Sequence, residues 1–268
     1  GLKWYSGKNK IVVALTTNST PERDYPHSYL GYLDPSNPED SAFQIIPYEK
    51  IINIDLNDDV AWMILINSQD GTPIVKSADL TKLSLKGFGS QFGQYTSYST
   101  TNTPFIQFPS EIQSMPTSIA AYPSGQTGYI TATIQGFIEI KSGISPDRRH
   151  ADLNFYEGTC RLESEKNCET YSANCVAVCP FDKKIALVCF KNQFVIFNLE
   201  TGLYRPITPS AGKTSKDPIT ACAFSPSGEV YAIAYGYDWS KGADELKNTG
   251  HKTLIAVGPT PEPPKQQE

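Results

Sequence analysis

Six cysteines are the first residues in this 268-residue chain whose chemistry and spacing invite a site, and all of them lie between Cys160 and Cys222. Thiolates hold soft metal ions and thiols pair into disulfides, so such a concentration has to be weighed for both. A structural zinc site is built from paired short spacings, or from cysteines joined by histidines. Here Cys175-x-x-x-Cys179 is a lone short spacing, and the three histidines are scattered at His27, His150 and His251. Cys175, Cys179 and Cys189 alternate with apolar residues in segments that read as buried strands. That pattern predicts reduced thiols packed as small apolar groups, with no metal and no cofactor.

The carboxylates are no more suggestive of catalysis. Asp58-Asp59 and Glu163-x-Glu165 are acidic pairs in turn-like sequence and read as solvated. The chain carries no nucleophile elbow, no phosphate-cradling glycine loop and no histidine set beside a carboxylate. The sequence thus predicts a binding protein, not an enzyme, and no small-molecule substrate. With 23 Lys and Arg against 28 Asp and Glu the net charge is -5, so any RNA contact has to be a local patch. No stretch approaches the ~18 apolar residues of a membrane span, and the start GLKWYSGKNKIVV lacks the apolar region of a signal peptide. A soluble, intracellular protein is expected, in which the sequon Asn18-Ser19-Thr20 has no secretory route to modification.

The elements that would position a site are strands. Hydrophobic residues make up 39% and charged residues 19%, with many Tyr, Thr and Ser, the mix of a sheet protein with a solvated surface. The length exceeds the usual single-domain mode, yet all-β propellers run this long. Three segments repeat: Ser118-Ile-Ala-Ala-Tyr-Pro123, Asn174-Cys-Val-Ala-Val-Cys-Pro180 and Thr220-Ala-Cys-Ala-Phe-Ser-Pro226 are short apolar strands ending at a proline. Each leads through a polar turn to a second strand, at Gly128 to Thr133, Lys184 to Cys189 and Glu229 to Ala234. Two continue through a Gly or Asn turn to a third strand, Phe137 to Lys141 and Phe194 to Asn198.

Proline sits just past a strand because it cannot donate to a ladder, and Gly or Asn supplies the positive φ of a tight hairpin. Two earlier units share this grammar: Ile51 to Leu56, Ala61 to Ile66 and Pro73 to Lys76, preceded by Leu2 to Tyr5, Lys10 to Leu15 and Ser28 to Leu33. About five repeats near the ~40 to 45 residues of a WD-type blade predict a β-propeller over residues 1–258, each sheet buried on both faces. Asn18 to His27 and Gly87 to Thr103 read as long polar loops, and residues 259–268, PTPEPPKQQE, as a Pro-rich disordered tail.

Pro218-Ile-Thr-Ala-Cys-Ala-Phe224, Ser227-Gly-Glu-Val-Tyr-Ala-Ile-Ala234 and above all Tyr237-Asp-Trp-Ser-Lys-Gly242 resemble the last blade of the Rae/Gle family of WD-repeat mRNA-export factors. Tyr171 to Val178 and Gln193 to Asn198 resemble that family's penultimate blade, and Thr133-Ile-Gln-Gly-Phe-Ile-Glu-Ile140 resembles its signature strand. The chain departs from the pattern at Gln135 and Phe137, where the family has Glu and Arg, and at Phe197-Asn198-Leu199, where it closes a strand with Trp-Asp-Lys. The Bub-type spindle-checkpoint proteins are similar in architecture, but in the insertion they match only the leading tyrosine.

The resemblance implies a seven-bladed propeller of which this chain supplies the third through the seventh blade. It implies a nuclear protein at the nuclear pore complex, shuttling to the cytoplasm, that docks on a GLEBS-type segment of an FG nucleoporin and assists ribonucleoprotein export. Partner contacts are expected at Gln135, Gly136 and Phe137, and at Tyr237, Asp238, Trp239, Ser240 and Lys241. Phe137 equally fits an inter-blade gap, and the Tyr237 loop equally folds back on its own blade. RNA would meet Lys191, Arg205, Lys213, Lys216 and Lys241, with Leu199 weakening the family's basic patch. The alternatives are a checkpoint-type adaptor binding kinetochore-kinase peptides and a scaffold in another propeller assembly.

Overall fold

In the computed structural model the residues described are 1–5, 8–16, 27–37, 42–47, 49–83, 86–87, 105–108, 114–123, 128–142, 158–161, 172–182, 185–190, 194–199, 201–207, 217–237 and 253–262. They form β-strands and one short 3-10 turn, arranged in two compact units, Gly1–Gln113 and Ser114–Glu268.

The first unit holds two antiparallel sheets. One runs β1 (Leu2–Tyr5), β2 (Lys10–Thr16), β3 (His27–Leu33), β4 (Ala42–Pro47) and β8 (Lys86–Gly87); the other runs β5 (Glu49–Asn57), β6 (Val60–Asn67), β7 (Pro73–Asp79) and β9 (Phe105–Phe108). Alternate residues of both, among them Tyr5, Val12, Leu30, Ile54, Met63 and Leu65, close one apolar core. Polar groups fasten its rim: Lys3 pairs with Asp55 at 2.7 Å, Lys76 with Glu49 at 2.5 Å, and the Tyr32 hydroxyl donates to the Leu80 carbonyl at 2.7 Å. Burial, helped by the charge on Asp79, pushes the Tyr32 phenol up to about 12. The Asp58-Asp59 pair is the exposed turn between β5 and β6, with Asp58 at φ 49, consistent with a solvated hairpin tip.

The second unit stacks three sheets. They are β10 (Pro116–Ala121), β11 (Gly128–Thr133), β12 (Phe137–Ser142) and β13 (Gly158–Arg161); β14 (Ala173–Val178), β15 (Ile185–Phe190), β16 (Phe194–Asn198) and β17 (Tyr204–Ile207); and β18 (Ile219–Phe224), β19 (Val230–Tyr235) and β20 (Leu254–Pro259). The first two sheets bury Ile130, Ile138, Val188, Phe197 and Leu199 between them, and the last two bury Leu187, Phe194, Ile196, Ile219 and Ile233. Hence β15 and β16 are buried at every residue, the signature of a sheet covered on both faces.

A joint recurs near the start of the first strand in four of the five sheets. The register slips by one residue at Thr117, Asn174 and Thr220, and again at Ile52 in the first unit. Such a bulge turns the extra side chain out of the ladder. In the second unit it reaches the next sheet: the Thr117 hydroxyl donates to the Ala173 carbonyl, and the Asn174 amide donates to the Ile219 carbonyl at 2.8 Å.

Two expectations need correction. Burial on both faces fails for the last sheet, whose strands alternate, leaving Ile255 at 64% and Val257 at 68% exposed opposite the core side. The strand also runs into the segment read as tail: Pro259 pairs with Val230, and the Thr260 amide donates to the Glu229 carbonyl at 2.7 Å. The long-loop readings at Asn18 to His27 and at Gly87 to Thr103 each meet a strand at one residue, His27 in β3 and Gly87 in β8, and otherwise lie outside the described residues, as do residues 263–268.

Candidate functional site

The signature turn joins β11 to β12. Gly136 adopts φ 77, a conformation that excludes most side chains, and its amide donates to the Thr133 carbonyl at 3.1 Å. The amide of Ile134 donates to the Met115 carbonyl at 3.0 Å, tying the turn to the start of β10. Ile134 is 50% exposed and Met115 39% exposed, beside an exposed Gln135. Sequence reasoning singled out the turn and missed these two apolar neighbours. Their signal is an isoleucine at a hairpin tip, where polar residues are the rule. The Phe137 backbone pairs with Arg161, while its side chain lies outside the described residues.

Tyr237 opens the connection from β19 to β20 and is buried, 9% exposed. Asp238, Trp239, Ser240 and Lys241 follow outside the described residues. Both connections join the second strand of a sheet to the third, which places the Gln135 turn and Tyr237 at corresponding positions of the first and last sheets of the unit, with the middle sheet between them.

The expected basic patch is spread differently. Arg205 is exposed on β17, the edge strand of the middle sheet, where its guanidinium donates to the Glu262 carbonyl at 3.0 Å. Lys191, Lys213 and Lys216 lie outside the described residues. Leu199 is fully buried between two sheets, so this position serves packing and not a surface groove. Asn198 organises the turn that follows, its side-chain oxygen accepting from the Thr201 amide at 3.2 Å.

The cysteines regroup relative to their spacing. Cys179 is buried at the end of β14, where its thiol meets the Gly228 carbonyl at 3.6 Å. Cys175 instead lies directly opposite Cys189 across the β14–β15 ladder, and Cys222 of the neighbouring β18 completes a trio whose Sγ atoms all fall within 4.8 Å of one another. Hydrogen bonds from Cys189 and Cys222 pull the Cys175 thiol down to about 5 against the effect of burial, whereas burial pushes Cys189 well up. One sulfur thus accepts from two donors in an apolar setting. Burial, with the Cys189 charge adding to it, also raises the Tyr231 and Tyr235 phenols.

No family model matches the chain. It is similar to the "mRNA export factor" of Danio rerio, with 28% identity over 139 residues, 49% of this chain and 35% of that protein. It is likewise similar to the "Poly(A)+ RNA export protein" of Schizosaccharomyces pombe, with 25% identity over 145 residues, 54% of this chain and 39% of that protein. The matches thus span little more than a third of the length of these relatives. Among solved structures, that of Raptor from Chaetomium thermophilum superimposes at a TM-score of 0.55 with 11% identity, covering 97% of this chain and 18% of that one. The fold is that of the WD-repeat β-propellers, and the relatives are the mRNA-export factors that the residues resemble.

Proposed function

We propose that the chain is a non-enzymatic binding platform of mRNA export, working in the nucleus and at the nuclear pore complex and shuttling to the cytoplasm. The observation that carries this reading is its similarity to proteins named for mRNA and poly(A)+ RNA export. Its docking partner is a GLEBS-type segment of an FG nucleoporin, taken up at the end of the second unit that presents Met115, Ile134 and Gln135. Exposed apolar side chains on a rigid hairpin suit a peptide that folds on binding, because the receptor loses little freedom. Gln135 is neutral, so the contact leans on apolar burial more than on charge. RNA contact is secondary and local, with Arg205 as its described cation.

Calorimetric titration of the chain with the GLEBS segment of its own organism's FG nucleoporin tests this. Saturable binding that weakens at least tenfold in Ile134→Asp and Phe137→Glu is expected, since removing an interface anchor commonly costs ~2 kcal/mol or more. A folded chain that binds no such segment refutes the docking reading and points to a scaffold with another partner. For RNA, affinity that does not fall with rising salt would remove the phosphate contacts from the proposal.

A further inference from the structure

We infer that Cys175, Cys189 and Cys222 form a three-coordinate binding site for one soft monovalent cation, with copper(I) as the matching ion. Three features of the second unit carry this. The sulfurs come from three strands of two sheets and converge within 4.8 Å of one another. A metal–sulfur bond of ~2.3 Å in a trigonal plane sets neighbouring sulfurs about 4 Å apart, inside that limit. The site therefore closes around an ion with little movement of the backbone.

The donor set also discriminates among ions. The group holds three sulfurs and no histidine or carboxylate among the described residues. Zinc in a structural site takes four ligands in a tetrahedron, whereas thiolate sulfur alone favours the softest ions, copper(I) first among those of the cell. The trio belongs to a largely apolar cluster with Leu187, Phe194, Ile196, Ile219 and Ile233, together with Tyr231 and Tyr235.

Protons and access fit as well. Ligating thiols must lose their protons, so metal affinity rises with pH. Binding therefore releases protons to solvent from the thiols that ligate, and the cation offsets charge that an apolar core would otherwise resist. Cys222 is only partly buried and gives the route by which an ion enters. Cys179, bonded to Gly228 and absent from the trio, is the natural control.

The test is an anaerobic titration of the reduced full chain with copper(I) against a competing chelator, with X-ray absorption reading the sulfur count. One equivalent retained with three sulfur neighbours is expected. Cys222→Ser should lower the count to two and the affinity at least a hundredfold, while Cys179→Ser leaves both unchanged. Circular dichroism confirms that each variant is folded, and Cys222→Ala replaces the serine variant if it is not. Copper held equally well without Cys222, stronger retention of zinc than of copper(I), or failure to compete with the chelator would each overturn the site.

Discussion

The middle and last sheets of the second unit are written in the same grammar and end up in different surroundings. β15 and β16 are buried along their whole length between two neighbouring sheets, whereas β18, β19 and β20 alternate between a packed side and an exposed one. On the exposed side Ala221, Ala223, Ala232, Ala234, Ile255 and Val257 follow one another across the three strands by register. The contrast shows that a run of apolar residues in a propeller strand records the two faces its sheet can offer, not the two faces that are covered. An uncovered face of this kind is where interaction surfaces are found.

Mutations should separate the two sheets sharply. Leu187→Ala in β15 removes a fully buried side chain and is expected to cost about 2 to 5 kcal/mol in denaturant unfolding. Val257→Ala in β20 should cost well under ~1 kcal/mol, the range of exposed substitutions. Similar losses at both sites would mean that the last sheet is covered in solution. The joint between the sheets comes next. Gly228 stands at φ 72, and a Cβ there would lie 2.4 Å from the Cβ of Phe181 and 2.8 Å from the Cys179 sulfur. Gly228→Ala is expected to lower stability by about 1 to 3 kcal/mol through strain in the turn and displacement of Phe181; an unchanged midpoint would show that the turn is not packed on the middle sheet.

A smaller difference should separate the two bulges. Asn174→Ala forfeits an amide donor to the next sheet and should cost about 1 kcal/mol, while Thr220→Ala, whose hydroxyl is exposed and bonds within its own sheet, should be near neutral. The reverse order would assign the inter-sheet fastening to the wrong residue. The smallest effect is expected at high pH and in the first unit. The Tyr32 phenol ionises more readily in the unfolded chain, near its ordinary value of 10, than in the fold, where it is pushed up to about 12. Its contribution is therefore complete below that ordinary value and is lost as pH rises through the folded one. Tyr32→Phe should flatten that alkaline loss in a pH series of melting curves, and an identical slope would exclude the hydroxyl as its source.

What the sequence makes legible follows from the same physics. β11 and β16 fall where the pattern places them, residue for residue, because Gly128 to Thr133 and Phe194 to Asn198 are apolar runs between turn residues. β17 escapes that reading: Tyr204-Arg-Pro-Ile207 is an exposed edge strand, and edges tolerate the Arg and Pro that disqualify a central strand. The thiol trio was half legible. Pairing Cys175 with Cys189 needs only the hairpin register, but the approach of Cys222 depends on how one sheet stacks on the next, and no spacing encodes that. The Gln135 turn was visible through its glycine, while exposed Met115 and Ile134 belong to a surface that periodicity alone does not draw.

The bulges at Thr117 and Asn174 give each of their repeats its own coupling to the following one, and Thr220 repeats the same bulge in the last sheet, where its hydroxyl bonds within that sheet. A repeat copied together with its bulge carries the connector along with the sheet, so the array can lengthen without any new interface having to arise. A deletion that removes one bulge would shift the pairing of its strand by one residue, turn that strand's core side chains outward and misalign every repeat mounted on it. Tolerance to insertion and deletion should therefore be low at these three positions and high in the connections between strands.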